Sequence, residues 1–201
     1  MRRLALLALP LLLARSVTAA AEEPEPDWNR SINAYLTPEE ARARIFPQAA
    51  QFSRQVRPIA PALWSRLARE TGRPWPADSL EAWLAHGGKG EMLGYCLTTD
   101  QIGKYRPITF MVGVTPTFRV QDVAVLVYRE SRGSEVHRTR FLRQYRGKSA
   151  ADPIRLNRDI INITGATLSV RALNAGVRGV LVLVSQTYGG APGEKGQEAS
   201  P

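Results

Sequence analysis

Asn157-Arg-Asp-Ile-Ile-Asn-Ile-Thr-Gly-Ala-Thr-Leu-Ser-Val-Arg-Ala-Leu173 is the stretch that decides the reading of this chain. It begins polar, turns β-branched and apolar at Ile160, Ile161 and Ile163, breaks at Gly165, and continues in small residues followed by good helix formers. That order predicts a short extended segment, a tight turn and a helix start, with Thr164 as N-cap. The helix is expected to run to about Val184, with Arg171, Asn174 and Arg178 as one polar stripe on an otherwise apolar rod. The first amides of a helix have no intrahelical partner, and with the helix dipole they favour an anion. Thr167 is expected in that first turn with its hydroxyl beside the anion site. Gly165 and Ala166 leave room for a bulky group to approach the backbone. On local physics alone, a capped helix whose Thr and Ser side chains bond backbone is the simpler reading.

Working outward, the runs at 91–100, 105–114 and 118–129 read as strands joined by short turns, which implies an antiparallel meander. Residues 130–135 are a polar loop containing Gly133, and 137–145 read as a short helix with Phe141 and Leu142 turned inward. The Gly- and Pro-bounded segment 147–153 is a loop. Nearer the N-terminus, Thr37, Pro38 and Glu40 form a capping box for a helix that Pro47 ends. Residues 48–57 read as an irregular turn. Residues 61–71 read as a helix with Leu63, Trp64, Leu67 and Ala68 on one face and Gly72 as its stop. A further short helix is expected from Asp78 or Ser79 to Leu84, then a Gly-rich connection over 86–90. The expected fold class is α+β: an antiparallel sheet meander packed against a C-terminal helix that follows the Thr-Gly-Ala-Thr turn, with an N-terminal helical extension.

The chain has 201 residues, enough for one core-forming domain. Arg2 and Arg3, the apolar run over 4–14 and the small residues ending at Ala19 and Ala21 have the form of a cleaved signal peptide. The expected organisation is therefore a leader over 1–21, the helical extension over 22–89, the sheet domain over 90–188 and a disordered Gly-, Pro-, Glu- and Lys-containing tail over 189–201. No segment after the leader is expected to cross a bilayer, and the mature chain is expected in the periplasm. Cys96 is the only cysteine, so no internal disulfide is possible; in an apolar run it reads as a buried structural thiol. The formal net charge is +9. The basic residues are dispersed, with no zinc-finger or RNA-binding signature, so the charge is read as solubility and attraction for anions, not as nucleic-acid binding. Two histidines and one cysteine at no ligand spacing speak against a metal site. Gly147-Lys148-Ser149 lacks the first glycine of a P-loop, whose place Leu142 holds.

Thr164-Gly165-Ala166-Thr167 matches the core of the flavinylation motif of the FMN-binding domain family, which includes periplasmic subunits of sodium-pumping quinone reductases and of Rnf complexes. Further segments resemble the family in order and spacing. They are Gly103-Lys104 with Pro107 to Phe110 and Gly113, Tyr128 through Glu135 with Glu130, and Phe141-x-x-Gln144-Tyr145-x-Gly147-Lys148. Two positions depart from the pattern: Ile161 stands where an Asp is common, with Asp159 and Asn162 nearby, and Arg132 stands near the usual Pro of the central loop.

The resemblance implies an exported flavoprotein with FMN joined covalently to Thr167 Oγ through a phosphoester. A separate flavin transferase would install it, and the role would be electron carrier or redox subunit beside a membrane or periplasmic partner rather than stand-alone enzyme. Cofactor-binding candidates are Thr167, Thr164, Gly165, Ala166, Lys148, Glu130, Tyr128 and Gln144, with Lys148 and Arg158 as countercharges. The alternatives are a module holding FMN or another phosphoryl ligand without a covalent bond, and a scaffold with no cofactor.

Overall fold

The computed structural model describes residues 32–189. The expected leader, and the expected tail from residue 190 onward, lie outside the described residues. Six strands form one sheet: β1 Asn33–Ala34, β2 Gln51–Pro58, β3 Ser79–His86, β4 Met92–Ile102, β5 Pro107–Val114 and β6 Val120–Tyr128. Their order is β1-β6-β5-β4-β3-β2, and every neighbouring pair is antiparallel. Four α-helices accompany them: α1 Pro38–Ile45, α2 Pro61–Thr71, α3 Thr139–Leu142 and α4 Thr167–Tyr188. The fold is α+β as expected, with the β4–β5–β6 meander at its centre.

The central strands are buried on both faces, and their period-two alternation divides the core in two. Val123 and Val125 of β6 point to the side covered by α4, whereas Ala124 and Leu126 point to the side covered by α1. α4 lies across β4 and β5 and also meets α2. Its Val170, Leu173, Val177, Val180, Leu181 and Val184 are buried at helical spacing, each contributing about 1.5–3 kcal/mol of apolar burial. An 18-residue window of α4 has a mean hydropathy of 1.4, so the helix is long and apolar enough to cross a membrane. That corrects the expectation that no segment after the leader qualifies. The same window is 78% buried against the rest of the fold, which accounts for its apolarity.

The capping box at α1 is present: Thr37 N donates to a Glu40 carboxylate oxygen at 2.8 Å and Glu40 N to Thr37 Oγ1 at 3.2 Å. Gly72 ends α2 in the left-handed region, φ 71°.

The N-terminal third departs from a helical extension at three places, because residues 33–34, 51–58 and 79–86 are strands of the same sheet. In β3, Leu80, Ala82 and Leu84 alternate toward the α4 side. Leu, Ala, Glu and Trp are adequate helix formers, and here period-two burial overrides propensity. β2 is an edge strand, mostly exposed and polar. It reads as a loop in sequence because only its pairing with β3, from Gln51↔His86 to Pro58↔Ser79, makes it a strand.

One buried hydrogen bond ties the end of the α3 region to α4: Tyr145 Oη donates to Asn174 Oδ1 at 2.7 Å. Burial first, and then the Asp159 charge, pushes the Tyr145 phenol well above its ordinary pKa, so it remains a donor. Asn174, placed by sequence in a polar stripe, is 3% exposed and belongs to the core. Tyr145→Phe will strand its buried acceptor and lower stability by about 1–3 kcal/mol, measured by urea denaturation.

Candidate functional site

In an up-down-up meander, the exit of β4, the entry of β5 and the exit of β6 lie at one end of the sheet. The start of α4 comes to the same end. The resulting cleft, about 650 Å³, is lined by Lys104 and Tyr105 of the β4–β5 turn, by Glu130, Ser131 and Arg132 after β6, and by residues 165–169.

The turn that opens α4 is built differently from the expectation. Ala166 N donates to Ile163 O at 2.9 Å, and Gly165 has φ 82°. A glycine with positive φ at the third position is the arrangement of a type II turn. Thr164 is therefore a turn residue. The N-cap is Ala166, φ −115°, with no side-chain cap, and Thr167 is the first helical residue. The first backbone bond of the helix runs from Val170 N to Ala166 O, 2.9 Å. The amides of Thr167, Leu168 and Ser169 precede it and have no intrahelical acceptor. Because a threonine cap is absent, these donors remain available to whatever enters the cleft.

Thr167 is half-buried, and Asn162 Nδ2 donates to its Oγ1 at 3.0 Å. That bond fixes the hydroxyl while leaving its proton free. Asn162 Oδ1 is buried without a partner, the one such side-chain atom among the described residues. A buried acceptor in this state carries a desolvation penalty of about 1–3 kcal/mol, which a donor on an incoming group would relieve.

The cleft wall is braced by Tyr128, Gly133 and Glu130. Tyr128 is fully buried, and its hydroxyl donates to Arg132 O and pairs with Ser169 Oγ at 2.8 Å. Burial raises the phenol's pKa, only partly offset by Ser169, and the Glu130 and Glu135 charges raise it further. Gly133 sits where a Cβ would meet Tyr128 Oη at 2.9 Å and Ala166 Cβ at 3.0 Å, and its φ of 86° is left-handed. Only glycine lets the 130–133 loop lie this close to the α4 turn. Glu130, 7% exposed, accepts from Tyr105 N at 2.6 Å and Arg106 N at 2.9 Å through the same oxygen. It lines the cleft and clamps the opposite loop.

The structure thus brings Thr167, Gly165, Ala166 and Glu130 together, with Tyr128 behind them. Thr164 is exposed beside the cleft and does not line it. Gln144 is elsewhere: its Oε1 accepts from Ile161 N at 2.7 Å, and with Ile161 and Asn162 it lines a separate cleft of about 400 Å³. Lys148 is also elsewhere, bound through Nζ to Asp159 at 3.0 Å. Asp159 closes its own loop, accepting from Ile154 N at 3.0 Å and Arg155 N at 2.7 Å. Burial alone would raise the Asp159 carboxyl, but the Arg155 amide, Lys148 and the Ile154 amide together outweigh it and hold the pKa below its ordinary value. The stability from Asp159 is therefore present above the unfolded aspartate pKa and lost as pH falls through the depressed folded value. Neither Lys148 nor Arg158 lines the cleft. The cations that line it are Lys104 and Arg132.

Sequence reasoning missed Lys104, Arg132, Ser169 and Asn162 as site residues. The meander supplies the signal for the first two, since the β4–β5 turn and the segment after β6 must share an end. Ile161, at the departing position of the motif, is 75% exposed and does not line the cleft. Asn162 is the residue that meets the hydroxyl.

Residues 103–182 match the model of the FMN-binding domain family. No curated protein matches the chain. Among solved structures, the crystal structure of NqrC from Shewanella oneidensis is similar, with a TM-score of 0.53 and 16% sequence identity, over 76% of this chain and 88% of that one. At this identity the likeness is one of fold. The Thr-Gly-Ala-Thr turn that opens α4 falls inside the segment, residues 103–182, that is similar to the FMN-binding domain family.

Proposed function

We propose that this protein is an exported flavoprotein that carries FMN on Thr167 through a phosphodiester and serves extracytoplasmic electron transfer. The observation that carries the reading is the convergence at Thr167. A half-buried hydroxyl, fixed by Asn162, stands at the first position of a long helix with the free amides of its first turn beside it. A phosphodiester keeps one negative charge, which suits these amides and the cations Lys104 and Arg132. The cleft of about 650 Å³ is within the range of small-molecule sites.

Attachment is a phosphoryl transfer. Thr167 Oγ forms a bond to the flavin-side phosphorus of FAD, the bond from that phosphorus to the bridging oxygen breaks, AMP leaves, and the hydroxyl proton is released. The Asn162 amide contributes orientation, not proton abstraction, so the base belongs to a separate flavin transferase. Bound flavin supplies one- and two-electron chemistry. The chain's own part is to hold the phosphate at the α4 terminus and to brace the cleft through Tyr128, Gly133 and Glu130. A partner in a membrane or at its periplasmic surface would exchange electrons with it.

The mature chain, coexpressed with a flavin transferase and exported, is expected to gain the mass of FMN less one water and to fluoresce after denaturing electrophoresis. A flavin released intact by denaturation would favour non-covalent binding instead, and an unmodified, colourless protein would overturn the reading. Lys148→Met separates structure from site: it will lower stability by about 1–2 kcal/mol through loss of the Asp159 pair while leaving the flavin mass gain complete. Intact mass and a thermal melt on the same sample check both halves.

A further inference from the structure

A second cleft, about 540 Å³, runs between the C-terminal end of α2, the loop at 155–157 and the middle of α4. Its lining holds five arginines, Arg69, Arg73, Arg155, Arg171 and Arg178, and a single carboxylate, Glu70. None of the five is in an ion pair among the described residues. Arg178 is half-buried and is held by carbonyls alone, donating to Glu70 O at 3.0 Å and Ile154 O at 2.8 Å. Burial, and then the neighbouring Arg155 charge, both act against its charged form. Arg73 likewise donates to a carbonyl, Ile102 O, at 2.5 Å. Arg69, Arg155 and Arg171 are exposed around these two.

Like charges gathered in a concavity repel one another, and folding gains nothing from the three exposed arginines that a neutral polar side chain would not give. What the arrangement fits is a set of carboxylates. Guanidinium forks match carboxylates two bonds at a time, and a concave cationic surface raises the encounter rate with an acidic one. The lining of the cleft has no aromatic side chain, which is unlike a surface that seats in lipid. Arg171 lies one helical turn from Thr167 on the same helix, so a protein docked here would stand beside the first cleft.

We propose that this arginine cleft docks an acidic segment or face of a protein partner; that the partner is the one exchanging electrons rests on the flavin reading above. The test uses the mature chain, with and without flavin, and a fluorescein-labelled hexaglutamate peptide followed by anisotropy. The expected result is binding at low salt that weakens at least about tenfold between about 20 and 200 mM salt. The paired substitution Arg155→Gln with Arg171→Gln, both at exposed positions, should weaken it at least about fivefold further. Arg140→Gln with Arg143→Gln removes the same charge outside this cleft and should weaken it less than twofold, roughly the effect of diffuse surface charge. Equal losses in the two pairs would reduce the site to net charge and overturn the proposal. So would tighter binding to phosphatidylglycerol vesicles than to the peptide through Arg155 and Arg171, which would make the cleft a lipid-facing surface. The flavin-free arm isolates the cleft: absent flavin mass would sink the flavin reading and leave peptide docking standing.

Discussion

On the proposed attachment, Thr167→Ala will abolish the FMN mass gain and the in-gel flavin fluorescence, whereas Thr164→Ala will retain both. One threonine lies within a tight turn and the other directly follows it, and in sequence either could present a hydroxyl. The structure distinguishes them. Thr164 is exposed in the turn and does not line the cleft, while Thr167 opens α4 with Asn162 Nδ2 on its Oγ1 at 3.0 Å. The effect is all-or-none because alanine has no oxygen to accept the phosphoryl group. Its folding cost is small, since Thr167 is the first helical residue and its side chain caps nothing, so lost signal cannot be assigned to unfolding if the melting temperature holds. Retained mass in Thr167→Ala, or lost mass in Thr164→Ala, would move the attachment elsewhere.

Gly179→Ala is the second large effect, and two rules disagree about its sign. In an exposed helix interior, glycine to alanine stabilises by up to about 1 kcal/mol. Here a Cβ on residue 179 would lie 1.9 Å from Trp75 Cζ3 and 2.7 Å from two further ring atoms. Trp75 is 6% exposed, so its ring cannot swing into water without uncovering much of the α4 side of the core. Overpacking of this kind costs about 1–3 kcal/mol, and displacement of a whole indole lies at the upper end. The clash outweighs propensity, giving a net loss of about 1–2 kcal/mol and a melting temperature lower by roughly 2–8 °C. Tryptophan emission in the folded state will shift to the red as Trp75 gains solvent. A stabilised variant would show that the loop carrying Trp75 yields freely.

Much of this molecule could be read from local chemistry. The capping box at Thr37, the Gly72 stop, the three meander strands and the apolar α4 each announce themselves through residues adjacent in the chain. The errors fall where a partner distant in sequence decides. β2 is polar and exposed, and it is a strand because β3 lies beside it. β3 has helix-forming residues and is a strand because its alternate positions face a core. The site divides in the same way. The Thr-Gly-Ala-Thr turn was legible as the start of a helix, but which cations line the cleft above it was not. Lys148 belongs by sequence to a family-like segment, yet Asp159 holds it elsewhere, and Lys104 and Arg132 reach the cleft only because two loops share one end of the sheet.

The braces of the first cleft also set an order of events. Glu130 reaches backbone amides 24 and 25 residues away, and Tyr128 meets Ser169 across 41 residues. Contacts of that range form only once the chain has closed the loops between them, so the acceptor hydroxyl is not presented until the sheet and α4 have come together. On the proposed function, each flavin-bearing molecule is then one that completed folding before it was modified. Chain held in urea and offered to an active, urea-tolerant transferase should keep its unmodified mass, and the bound colour of a purified sample should count its correctly folded molecules.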